Sequence, residues 1–151
     1  MFAVDKIICP IDFSDPSYEG LQSASELAEH FSAELILVHI VSPMPNIAGT
    51  RAPTGFHLPT VLKEMEEQAN NQIAEDAAQR IRKKVKFRTF VGIGRPADKI
   101  VQTAEDETAD LIVMATHGQS GWQRFVSGSV TERVVRMSTC PVFVVPAPKE
   151  S

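Results

Sequence analysis

The chain is short of cysteine, of positive charge and of long apolar runs, and each shortage removes a class of function. Two cysteines in 151 residues cannot build the disulfide framework of a small secreted domain. Cys9 falls inside the apolar run 7–11 and Cys140 precedes Pro141, so both read as small buried hydrophobes in a reducing compartment, and no disulfide is expected. Together with the four histidines they show none of the paired spacing that zinc sites use. A formal net charge of −4 argues against a nucleic-acid surface. The basic stretch 80–86 (RIRKKVK) reads as a helix carboxyl end complementing its dipole rather than as a binding patch. No apolar run approaches the roughly 20 residues that span a bilayer, and the amino terminus lacks both the charged start and the apolar centre of a signal peptide. No membrane insertion and a cytoplasmic location are therefore expected. A Walker A sequence and Gly-x-Ser-x-Gly are also missing, which leaves a P-loop ATPase and an α/β-hydrolase unsupported.

What is present is alternation of strand and helix signals. With 43% hydrophobic residues, the chain is long enough for one cored domain over 1–151 and too short for two of ordinary size. Residues 6–11 read as a first strand. Asp15 and Pro16 then cap a helix with Leu21, Ala24, Ala28 and Phe31 at helical spacing. Residues 35–41 make a second strand, followed by a variable Pro- and Gly-bearing loop over about 42–57 and a long polar-faced helix over about 59–83. A third strand is expected at 85–91, a helix from Pro96, a fourth strand at 111–114, a helix from Ser129 and a fifth strand at Val142–Val145. Strands separated by single helices imply right-handed crossovers and a parallel sheet covered on both faces, a doubly wound α/β domain.

Residues 111–145, LIVMATHGQSGWQRFVSGSVTERVVRMSTCPVFVV, carry most of the functional information: a short apolar strand, a glycine-punctuated loop, a helix opened by the capping box Ser129-x-x-Glu132, and the last strand. Gly118 and Gly121 permit positive φ. Gly128 and Ser129 would leave backbone N–H groups and a hydroxyl at a helix start, where the dipole favours an anion such as a nucleotide phosphate. An ordinary βα turn uses the same residues without binding anything, so the local pattern leaves both readings open. A second pattern, Gly92-x-Gly94-x-x-Ala97, matches the dinucleotide fingerprint in form but not in context: it follows the third strand rather than the first, and Asp110 precedes the next strand instead of ending it.

Spacing goes further than local pattern. Ala115-x-x-Gly118, nine residues, then Gly128-Ser129 resembles the signature of the universal stress protein family, whose ATP-binding members carry Gly-x-x-Gly, nine residues, Gly-(Ser/Thr). Ala115 departs from that pattern at its first glycine. The segments KIICPIDFS (6–14), ELILVHIV (34–41), GRPADKI (94–100) and everything from Asp110 onward also resemble the family's blocks, in family order. Only 42 to about 75 has no such pattern. The resemblance implies a Rossmann-like five-stranded sheet in order 3-2-1-4-5, with a ligand crevice between strands one and four. Carried over residue by residue, the family's ATP contacts fall on Pro10, Asp12, Ile40, Met114, Ala115, Gly118, Gly128, Ser129 and Val130. Asp12 and the chain near Ile40 would face adenine and ribose. Gly118, Gly128, Ser129 and Val130 would offer N–H groups and a hydroxyl to the phosphates, with Mg²⁺ or Mn²⁺ arriving on those phosphates.

Several residues keep two readings. Asp12 could serve only its own turn, Arg124 could meet phosphate or solvent, and His117 is a loop histidine with no obvious partner. His39, inside an apolar strand, is expected to be a hydrogen-bonded core histidine. No nucleophile–base pair or carboxylate cluster stands out, so fast turnover is not expected, while slow hydrolysis or autophosphorylation stays open. The resemblance implies a nucleotide-binding stress-response protein that acts through conformation and unknown protein partners, and a homodimer formed across the edge strand Val142–Val145, which would otherwise leave an apolar row with free backbone groups. The alternative is a dimeric scaffold that binds no nucleotide, suggested by Ala115. A nucleotidyl transferase would call for His-x-x-His or His-x-Gly-His, and neither occurs.

Overall fold

Strands form where branched apolar residues run together, and in a computed structural model, which describes residues 2–43, 58–116 and 129–146, there are five of them. They are β1 (Lys6–Pro10), β2 (Glu34–Val41), β3 (Phe87–Ile93), β4 (Leu111–Ala115) and β5 (Val142–Val145). The sheet order is β3-β2-β1-β4-β5 and every pairing is parallel. Strand alternation sends Ile7, Cys9, Leu35, Leu37, Leu111 and Val113 to one face, where α1 (Asp15–Phe31) and α2 (Leu58–Arg80) cover them with Leu21, Ala24, Ala28, Ile73 and Ala77. Ile8, Ile36, Val38, Ile112 and Met114 point the other way, against Ala97, Ile100, Val101 and Ala104 of α3 (Pro96–Asp106) and Val134 of α4 (Ser129–Met137). Ile7, Ile8, Leu37 and Ile112 are wholly buried; each such side chain contributes about 1.5–3 kcal/mol. The doubly wound fold expected from the alternation is thus the one found. No described helix is long and apolar enough to cross a membrane.

Local boundaries differ from expectation where side chains compete with propensity. The cap of α1 is Ser14, not Asp15: Ser14 is extended (φ −87°, ψ 158°) and its hydroxyl accepts the Ser17 N–H, which leaves Asp15 inside the first turn to complement the dipole. Phe31 ends the helix partly exposed rather than in the core. The long helix stops at Arg80, so most of the basic stretch lies beyond it. There Arg82 pairs with Glu26 and Glu29 at 3.4 and 2.6 Å, and Lys86 pairs with Glu34 at 3.2 Å. Val85 reads as a strand residue but is a buried anchor in the connection, and β3 begins only at Phe87. Cys9 and Cys140 are free thiols, and burial pushes the Cys9 thiol far above its ordinary range.

Two polar clusters tie elements together. At the amino edge of the sheet, Arg88 bonds Glu34 of β2 and, at 2.7 Å, Glu107 beyond α3, while Lys6 reaches Glu107 at 3.5 Å. Between α1 and α2, the buried Asp76 carboxylate accepts from Tyr18 Oη at 2.9 Å and Gln72 Nε2 at 3.0 Å, and the Arg80 guanidinium stacks over the Tyr18 ring at 3.6 Å.

Candidate functional site

The chain leaves β1 into α1 on one face of the sheet and approaches β5 through α4 on the other. Since β1 and β4 are neighbours, their carboxyl ends form the switch point where an open α/β sheet has its crevice. The β1 side is a tight, cross-linked turn. Ile11 N–H continues the ladder to Val38 O at 2.7 Å, and Asp12 Oδ1 accepts both the N–H of Ser14, at 3.0 Å, and its hydroxyl. Asp12 N–H in turn reaches Ser17 Oγ at 3.4 Å. The turn reading of Asp12 is therefore real, and it fixes where the carboxylate sits.

Between these groups Phe13 adopts φ 65°, the left-handed region. For a bulky residue that conformation costs on the order of 1–3 kcal/mol and persists only where neighbours impose it. The Phe13 ring packs on that of His39: the two ring centroids lie 4.3 Å apart, tilted by 34°. His39 Nδ1 is 2.8 Å from the Ile11 carbonyl oxygen, which can only accept, so Nδ1 carries the proton and the imidazole pins the turn from β2. The expected hydrogen bond is found, although His39 is half-buried at the carboxyl end of β2 rather than in the core.

On the β2 and β4 side, Ile40 and Met114 are buried and face the α3–α4 layer. Ala115 ends β4, paired with Val145 in ordinary extended geometry, so nothing about its backbone requires glycine. Its methyl points toward α1. A Cβ built on Gly20 would lie 3.6 Å from Ala115 Cβ and only 3.1 Å from Ala115 N. Gly20 is what lets α1 approach the end of β4 this closely. From the opposite layer, Thr131 Oγ1 donates to Ala115 O at 2.8 Å in a buried contact, while Thr116 N–H bonds Val145 O at 2.9 Å.

Pro10, Asp12, Ile40, Met114, Ala115, Ser129 and Val130 thus all lie at the carboxyl edge of the sheet or at the start of α4 beside it. Gly118, Gly121 and Gly128, with His117, Trp122 and Arg124, fall outside the described residues. The first N–H groups of α4 have no partner within the helix and carry the positive end of its dipole, an arrangement suited to an anion. Among the described residues, no group of three or more His, Cys, Asp or Glu could hold a metal ion. Gly92 and Gly94 are accounted for by packing: a Cβ at Gly92 would meet Phe90 at 3.1 Å and Ile40 at 3.2 Å, and Gly94, at φ 149°, would meet Lys99 at 2.9 Å. Gly92 belongs to the edge strand β3 and Gly94 directly follows it, away from the switch point.

A parallel sheet in this order, with β1 and β4 paired at its centre and helices layered on both faces, defines a Rossmann-like α/β protein. Within that class, the chain belongs to the universal stress protein family, whose sequence model matches residues 3–146. It is 37% identical over 145 residues to universal stress protein MJ0531 of Methanocaldococcus jannaschii, an alignment covering 96% of this chain and 84% of that one. Universal stress protein MJ0577 of the same organism is 30% identical over 159 residues, covering 93% of each chain. The solved structure of MJ0577 superposes with a TM-score of 0.83 at 27% identity, over 97% of this chain and 99% of that one. A universal stress protein solved in complex with cAMP shares the fold, with a TM-score of 0.62 at 23% identity over 95% and 98% of the two chains.

Proposed function

We propose that this universal stress protein binds ATP in the crevice between β1 and β4, and that it acts as a cytoplasmic stress-response protein through conformation and protein partners. The observation that carries the proposal is the direction of the Ala115 methyl. It packs toward Gly20 of α1, so the one departure from the family's nucleotide signature is accommodated within the fold. Gly118, Gly128 and Ser129 are retained in the sequence. The cAMP complex of a protein with the same fold supports a nucleotide as the ligand class. In this reading Asp12 and Ile40 meet ribose and base, and the amino end of α4 meets the phosphates, which bring Mg²⁺ or Mn²⁺ with them.

Trp122, the single tryptophan, lies inside the glycine loop and gives the test. Its fluorescence should respond saturably to ATP with Mg²⁺, and the response should vanish in a Gly128→Val, Ser129→Ala variant; a response that survives in that variant counts against the assignment.

A second copy of the chain is the partner we propose for β5. This strand is a sheet edge, and Phe143 on it is 47% exposed, with Val135 and Met137 of α4 also exposed. Two such edges meeting antiparallel about a two-fold axis would pair their free backbone groups and bury the apolar row. The scaffold reading, suggested by Ala115, shares this dimer.

A further inference from the structure

We infer that Thr131 is a positioning residue: its hydroxyl, bonded to the Ala115 carbonyl, sets the amino end of α4 against the end of β4 and thereby the affinity of the site for the phosphate part of a nucleotide. The inference rests on the nucleotide-binding reading and concerns how that site is held. Apolar packing alone does not settle the position of α4. Val134 is wholly buried and Val130 packs on the same core, which determines the face the helix presents. Apolar contacts, however, resist sliding along the helix axis only weakly, because they are non-directional. The Thr131 bond is directional, buried and joins residues far apart in the chain, and it lies in the turn whose N–H groups would meet phosphate.

Its acceptor is unusually well fixed. Ala115 is paired with Val145, Thr116 N–H continues that ladder, and Gly20 brings α1 against the Ala115 amide from the other layer. Threonine in a helix commonly returns its hydroxyl to a carbonyl one turn back, within its own helix. Thr131, the third residue of α4, has no such carbonyl within its helix, and its hydroxyl bonds β4. Hydrogen bonds to phosphate oxygens tolerate only a few tenths of an ångström, and the dipole's effect is confined to the first turn, so a small displacement of α4 would be felt by the phosphates and not by the base.

The test compares Thr131→Val, which keeps the shape and removes the hydroxyl, with Thr131→Ser, which keeps the hydroxyl. Both are titrated calorimetrically with ATP·Mg²⁺ and with adenosine. The expected result is ATP binding weakened on the order of tenfold in Thr131→Val, adenosine binding unchanged, and Thr131→Ser close to the parent. Gly20→Ala, which presses on the same Ala115 amide from the α1 side, provides a second variant if Thr131→Val does not fold, and should show the same ATP-selective loss. Equal weakening for ATP and adenosine, or none, reduces Thr131 to a structural residue and overturns the inference while leaving the nucleotide site standing. Absence of ATP binding by the parent protein overturns the nucleotide reading and this inference with it.

Discussion

Replacing Ala115 by glycine restores the family's nucleotide signature, yet the structure predicts that this makes the protein less stable without making it a better binder. The methyl is buried against Gly20, and Ala115 as a whole is 9% exposed. Removing one buried methyl forfeits about 0.8 kcal/mol of transfer free energy, and glycine in an extended strand adds roughly 0.5–1 kcal/mol of unfolded-state entropy. A destabilisation of about 1–2 kcal/mol is expected, read as a shift of the urea midpoint at constant slope. ATP affinity should stay within about threefold, because the atom removed faces α1 and the strand geometry needs no glycine. If the methyl instead crowded the ligand, its removal would relieve about 1–3 kcal/mol and tighten ATP binding about fivefold or more. Markedly tighter binding by Ala115→Gly would therefore refute the packing argument on which the proposed function rests.

Other consequences can be checked in the same preparations. The Glu34 and Glu107 carboxyls are held below the usual range, in both cases chiefly by hydrogen bonds from Arg88. Depressed carboxylates stabilise the fold above their unfolded pKa and lose that contribution as the pH falls through the folded value, so stability should decline with acidification below the ordinary glutamate value of about 4.3. Arg88→Met should flatten this decline and cost no more than about 1 kcal/mol at neutral pH, since the pairs are surface ones; an unchanged acid limb in denaturant titrations would count against the network. Burial, and next the bond to Asp76, pushes Tyr18 up to about 12. A raised value means a contribution fully present below the unfolded value near 10 and lost as the pH climbs through about 12, and Tyr18→Phe should abolish that alkaline loss in unfolding measurements. Phe143→Lys, at an exposed position on the edge strand, should shift sedimentation toward monomer with little change in unfolding midpoint, and an unshifted profile would dismiss the edge-strand dimer.

How much of this was legible in the sequence varies with the range of the interaction. The strands and helices follow from apolar periodicity, and their layering from strand alternation. The sheet order and the site residues rest on the resemblance to a family, since periodicity cannot say which strands are neighbours. Boundaries slipped where a local side-chain bond decided the matter. Ser14, rather than Asp15, holds the cap because its hydroxyl reaches the Ser17 amide, and Val85 carries β-branched propensity but serves as an anchor before the strand. Thr131 and Gly20 went unread for a different reason. Each acts across a gap between elements, on a backbone atom of Ala115 whose position only the folded sheet defines. Thr131 left one trace: it sits between Val130 and Val134 on the apolar side of an amphipathic helix, where a hydroxyl needs a partner. The left-handed Phe13, by contrast, left no sequence signal, and its ring packs on His39 of the neighbouring strand.

The measurement that tests the central claim most directly is a calorimetric titration of ATP with Mg²⁺ into the folded protein, freed of any carried-over nucleotide. The account predicts saturable binding in spite of Ala115, abolished by Gly128→Val with Ser129→Ala. Absence of binding at millimolar ATP, with fold and homogeneity confirmed on the same sample, would contradict it and leave the crevice between β1 and β4 without the ligand assigned to it.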